Sequence, residues 1–248
     1  MALLRDLAAR VEAIESRLTT TPSIETNWPV TIDPANTAAG RIRPVIFFPG
    51  SSHPDAALFR EALDRALLAC SAWLRSHYQC RIWFEWAEAS TSAMGEAEWA
   101  ADLWGGAQRH AAPEAGQLDL VAAYCSGAPG YGSPMLDGRA GLAAINGAVL
   151  ERLAMTPVAK RRFAPDPALL GLTLEQDRDG AIGLLLHEAL HAAGASAVDR
   201  DPADGVYEPH PSDPADLMST AGPQSWPHVT LNAADLAAVM ASGFVTAV

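Results

Sequence analysis

Apolar positions along the chain fall into segments of different period. Leu4, Leu7, Val11, Ile14 and Leu18 recur at alternating spacings of three and four, the a/d seam of a short coiled coil. Arg10 falls at g and Glu15 at the following e, the placement of an interhelical pair in a parallel assembly. Residues 1–18 therefore read as a helix that either joins a homo-oligomer or docks on its own domain. Residues 19–42, rich in Thr, Pro and Asn, read as an extended linker, with the main domain covering 43–248.

Within that domain, Pro44–Phe48 is a short apolar strand closed by Pro49-Gly50. From Asp55 to Tyr78, Leu58, Ala62, Leu63, Ala66, Leu67, Cys70, Trp73 and Leu74 keep helical spacing. Cys80–Trp86 alternates as a second strand. A weaker helical pattern over 93–110 is interrupted by Gly105-Gly106. Leu118–Cys125 reads as a third strand, Gly127–Gly138 as a Gly/Pro-rich loop, Arg139–Asn146 as a fourth, edge-like strand, and 147–154 as a short helix. Thr173 with Gln176 forms a capping box that opens a helix running to Ala193, weakened near its start by Gly180 and Gly183. Gly194 is placed to end this helix in a left-handed turn. An Asp/Pro-rich stretch follows, and Asn232 or Thr230 caps a final helix over 232–241. The plan is α+β: a small mixed β-sheet with a backing helix, a central helix through 187–191, and an irregular C-terminal part ending in a helix.

Composition narrows the classes. Of 248 residues 49% are apolar, enough for a sizeable core, yet no apolar run reaches the length of a membrane span. Lys+Arg 17 against Asp+Glu 29 leaves a net charge of −12, which argues against a broad nucleic-acid or anionic-membrane surface. Cys70, Cys80 and Cys125 contain no CxxC pair and read as buried thiols. Residues 1–18 lack the apolar core of a secretory signal, so the expectation is a cytoplasmic protein or export by a signal-independent route.

The chemistry concentrates at His187-Glu188-Ala-Leu-His191, the pattern H-E-x-x-H. Positions i and i+4 share a helix face, so His187 and His191 can direct two imidazoles at one metal ion, with Glu188 positioned as a general base. This is the minimal equipment of a zinc hydrolase. An ordinary amphipathic helix with two histidines is the plainer alternative. Catalytic zinc takes three protein ligands, so a third must come from elsewhere.

His187-Glu188-x-x-His191-x-x-Gly194, followed by Asp216-Leu217-Met218-Ser219, resembles the metzincin clan of zinc peptidases, with Met218 in the place of the clan's Met-turn. The resemblance covers 43–245 loosely and 187–219 most specifically. It implies a metzincin-like zincin fold, a bound Zn2+, and an apolar floor at Met218 beneath the histidines. It further implies an extended peptide or protein substrate on a sheet edge, for which 139–146 is the expected strand, and a specificity pocket built from Ser219 to Pro227, including Trp226. The sequence departs from the motif at the usual third ligand, which is Ala197. His210 is the first candidate to replace it, then Asp199, with Asp213 and His228 weaker. Asp199-Arg-Asp201-Pro-Ala-Asp204-Gly205 fails the spacing of a calcium loop and reads as an acidic loop. The function expected is a zinc-dependent endopeptidase with Glu188 as base. The competing readings are a lapsed structural or binding subunit of an oligomeric assembly and a zinc hydrolase of non-peptide amides.

Overall fold

A computed structural model describes residues 41–47, 55–84, 94–111, 113–135, 140–196 and 210–247, all inside one compact unit, Ala38–Val248. The N-terminal seam, the linker, Ala197, Asp199 and the acidic loop lie outside the described residues. The elements are β1 (Arg41–Phe47), α1 (Ala56–Tyr78), β2 (Cys80–Phe84), α2 (Glu96–Ala101), α3 (Leu103–His110), β3 (Gln117–Ala123), β4 (Gly130–Met135), β5 (Ala140–Ile145), α4 (Gly147–Leu153), α5 (Leu174–Ala192), α6 (Ala233–Ala241) and β6 (Val245–Ala247), with short 3-10 turns at Val158–Lys160, Pro167–Leu170 and Gly222–Ser225.

The sheet runs β4-β5-β3-β1-β2-β6. β1, β2, β3 and β5 are parallel, whereas β4 runs antiparallel to β5 and β6 antiparallel to β2. This mixed sheet is wider than the small one expected, and helices cover both of its faces. Leu118, Leu120 and Ala122 of β3, with Ala143 and Ile145 of β5, pack with α1, α4 and α5. Val121 and Ala123, with Leu142 and Ala144, pack with Trp99, Leu103 and Ala107 of α2 and α3. Strands apolar on both faces are those that parallel sheets bury.

α1 follows the helical spacing closely, with one exchange. Leu58 is 42% exposed, and Phe59 takes the buried position. The weak helix over 93–110 breaks at Asp102 rather than at the glycine pair. The Asp102 carboxylate accepts the Gly105 N–H at 2.8 Å and caps α3, satisfying a donor that a helix start leaves orphaned. The three cysteines are free and buried. No helix among the described residues is long and apolar enough to cross a membrane.

Two sequence expectations are corrected on one side of the sheet. The Gly/Pro-rich stretch contains a strand, β4, and β4 is the sheet edge. The expected edge strand, 139–146, is instead internal: β5 lies between β3 and β4 and is fully buried. The glycines of β4 answer to packing rather than to a turn. A Cβ on Gly132 would lie 2.0 Å from the backbone oxygen of Glu188, and one on Gly130 would lie 2.8 Å from the Glu188 side chain. Only residues without a side chain let the strand settle directly on α5.

α5 is held at both ends. The Thr173 hydroxyl accepts the Gln176 N–H at 3.2 Å, and the Gln176 amide oxygen accepts the Thr173 N–H at 2.9 Å. Asp177, in the first turn, is buried between Arg152 at 2.8 Å and Arg161 at 2.7 Å. The interior glycine Gly183 lies where the segment 222–226 crosses, since a Cβ there would come 2.4 Å from the Pro223 oxygen. A glycine inside a helix costs about 1 kcal/mol relative to alanine, and this contact explains its presence.

Gly132→Ala is expected to destabilise the protein by about 1–3 kcal/mol, because helix backbone cannot yield to the added methyl as a flexible side chain would. Urea denaturation against the parent measures this, and an unchanged midpoint contradicts the close approach.

Candidate metal centre

The last two turns of α5 carry His187, Glu188 and His191. His187 and Glu188 are buried and His191 is half-buried. Gly194, at φ +100°, ends the helix. The Ala195 N–H returns to the Leu190 oxygen at 2.8 Å and the Gly194 N–H to the His191 oxygen at 2.9 Å, the paired bonds of a left-handed helix stop. The description resumes at His210, whose Nε2 lies 3.2 Å from His191 Nε2, while His191 Nε2 is 3.0 Å from His187 Nε2. Each of the three rings offers one nitrogen, and these nitrogens lie within 4.8 Å of one another. Among the described residues this is the group of His, Cys, Asp and Glu side chains able to hold a metal.

Proton placement decides what these nitrogens can do. His187 Nδ1 is 2.8 Å from the Leu217 carbonyl oxygen and His191 Nδ1 is 3.0 Å from that of Ala195. A carbonyl oxygen only accepts, so each Nδ1 carries the proton and donates it. In a neutral ring the Nε2 then presents a bare lone pair. Burial, opposed by the Leu217 bond and reinforced by the facing His210, pulls the His187 pKa down to about 4, so that ring is neutral at neutral pH. Lone pairs facing each other at 3.0 Å repel unless a cation sits among them. Tetrahedral zinc at about 2.0–2.1 Å from each imidazole would set its ligand nitrogens about 3.3 Å apart, close to the spacing seen.

The surrounding charge agrees. Asp216 and Asp235 are buried, and neither forms an ion pair among the described residues. A divalent cation held by the three imidazoles would supply positive charge beside them. Donation of each second ring nitrogen to a carbonyl is also the arrangement that orients metal-binding histidines.

Glu188 lies beside the ligands beneath Gly130 of β4. Burial raises its pKa to about 8. Asp213 and His228 stand outside the histidine group. Asp213 is exposed, with its carboxylate accepting the Ala215 N–H at 2.9 Å, and His228 is exposed. Leu217 and Met218 are fully buried, and the carbonyl between them is the one that orients His187. Trp226 is buried, its ring 5.0 Å from that of Trp73 on α1. Sequence reasoning missed Asp235 altogether and read Asn232 as a cap alone. Their only signal in the sequence is polar residues flanking an apolar helix, which capping explains equally well.

No family model matches this chain, and no curated protein sequence matches it. Among solved structures, an archaemetzincin from Methanopyrus kandleri matches with a TM-score of 0.43 and 13% sequence identity, over 84% of this chain and 97% of that one. At that level of similarity it assigns no residue and no activity here.

In metal-free protein the raised Glu188 pKa makes the native state hold a proton that the unfolded chain releases from pH about 4.5 upward. This contribution to stability is present below that pH and lost as pH rises through about 8. Glu188→Gln is therefore expected to match the parent's thermal midpoint at acid pH and to exceed it increasingly up to pH about 8. Chelator-treated melts across the range test this, and a constant offset between the two proteins contradicts it.

Proposed function

We propose that this chain is a zinc-dependent endopeptidase of metzincin type, with His187, His191 and His210 as ligands and Glu188 as general base. One observation carries the reading: three imidazole nitrogens converge, two of the rings with their other nitrogen bonded to backbone, beside a buried carboxyl group. Zinc, when bound, supplies Lewis-acid polarisation of the scissile carbonyl and acidifies the attacking water.

The remaining work falls to the chain. Glu188, as the carboxylate, takes the proton of the attacking water and passes it to the leaving amine. Its position under β4, away from bulk solvent, keeps that proton from exchanging freely with water. β4 leaves one edge unpaired among the described residues, and an extended peptide adds there as a further strand, its backbone matched to Gly130–Met135. This replaces 139–146 as the substrate-binding strand. Because Gly130 rests on the Glu188 side chain, a peptide on that edge runs past the base.

The test uses the full chain with zinc stoichiometry and digestion of casein and a peptide library, with and without chelator. One zinc per chain and chelator-sensitive cleavage are expected. Glu188→Gln should keep its zinc and lose about 10²–10⁴-fold in rate. His210→Ala should lose zinc, while Asp199→Ala keeps it. Zinc retained by His210→Ala and lost by Asp199→Ala overturns the ligand assignment. Zinc bound without any peptide cleavage overturns the endopeptidase reading.

A further inference from the structure

The carbonyls that orient His187 and His191 are themselves held in a patterned way. The Leu217 oxygen, which accepts from His187, and the Met218 N–H belong to one peptide group. That N–H donates to Asp216 Oδ1 at 2.9 Å. The Ala195 oxygen, which accepts from His191, and the Ser196 N–H likewise belong to one peptide group, and that N–H donates to Asp235 Oδ1. In each case a carboxylate takes one end of a planar peptide and an imidazole the other. Chains of this kind polarise along their length, each bond strengthening the next.

A single side chain joins the two. Asn232 Nδ2 donates to Asp216 Oδ2 at 2.9 Å and to Asp235 Oδ2 at 2.6 Å, while its Oδ1 accepts the Asp235 N–H at 2.9 Å and caps α6. An amide has two donor hydrogens on one nitrogen, and here each goes to a different carboxylate. Asp216 and Asp235 are buried, so without that donor pair their facing oxygens would repel at short range.

We infer that Asn232 is a positioning residue for the metal centre, setting His187 and His191 together through two carboxylate–peptide–imidazole chains that meet at its amide. The inference rests on the reading of the histidines as zinc ligands, and it adds a residue distant from the ligands in sequence that touches none of them. Its cap and its bridge are separable. Serine caps as well as asparagine but has no second donor. Aspartate keeps the cap and the shape but replaces the bridging NH2 with an acceptor.

The experiment compares the parent, Asn232→Ser and Asn232→Asp as full chains, each checked for retained fold by circular dichroism. Zinc affinity is read by competition with a chromophoric chelator. Imidazole Nδ1–H resonances of metal-free protein are read by NMR. Both variants are expected to bind zinc at least tenfold more weakly, the range for residues that orient ligands from outside. The Nδ1–H signals of both His187 and His191 should be lost or exchange faster in Asn232→Ser. Folded variants with parental affinity and both signals intact overturn the inference and leave the zinc site standing. Zinc binding by the parent that survives His187→Ala overturns the ligand reading instead, and the NMR comparison then decides the Asn232 chains by itself.

Discussion

The structure around the site depends on two hydrogen bonds from imidazole to backbone, His187 to Leu217 and His191 to Ala195. They fix which nitrogen of each ring holds the proton and so turn the other lone pair toward a common point. Burial adds the second half of the constraint, because it keeps His187 neutral. Lone pairs that converge are unfavourable alone and favourable around a cation, and the two buried carboxylates behind them would be favoured by the same positive charge. A site of this kind is prepared for a metal by its tautomers as much as by its distances.

The fold serves that constraint by holding α5 between two backbones. On one side β4 approaches so closely that Gly130 and Gly132 have no room for a side chain. On the other, the segment around Pro223 crosses at Gly183. That C-terminal segment is tied back to α1: the Trp73 indole donates to the Pro227 oxygen at 3.0 Å, and the Leu231 N–H donates to the Tyr78 hydroxyl. The helix carrying the ligands and the turn carrying the Leu217 carbonyl are therefore positioned by one continuous core, in which α1 and α5 share buried residues. A rigid element on each side lets a short Nδ1–H···O bond persist without an entropic cost at the moment of binding.

Features encoded within one turn of chain were legible in the sequence. The i, i+4 histidines, the Thr173–Gln176 box, the Gly194 stop and the apolar face of α1 each depend on neighbours a few residues away. What failed depends on contacts between distant segments. Glycine in 127–138 suggests a loop when read locally, yet in β4 it marks where a helix backbone presses on a strand. The segment 139–146 reads as edge-like beside that stretch, although Ala140-Gly-Leu-Ala-Ala-Ile145 shows no polar alternation and matches a strand buried on both faces. Nothing in the sequence tells that the Trp226 ring packs against that of Trp73. Asn232 was correctly seen as a cap, and its second role was invisible because both of its carboxylate partners are fixed by tertiary structure.

The same distinction bears on whether the centre is a working site or a retained relic. In metal-free protein, burial of a carboxyl group opposes its ionisation, and Glu188 has its pKa raised to about 8 for that reason. The Nδ1–H bonds of His187 and His191 to backbone carbonyls tie α5 to its neighbours whatever the Nε2 atoms bind. Glu188 has no such use among the described contacts: burial is the one cause of its shift, with no hydrogen bond or charge to offset it. Under the proposed function, a buried carboxyl group set beside converging imidazoles is the arrangement expected of a base held ready for proton transfer. Under the proposed function, Glu188 is the residue that an active hydrolase needs and a lapsed one does not.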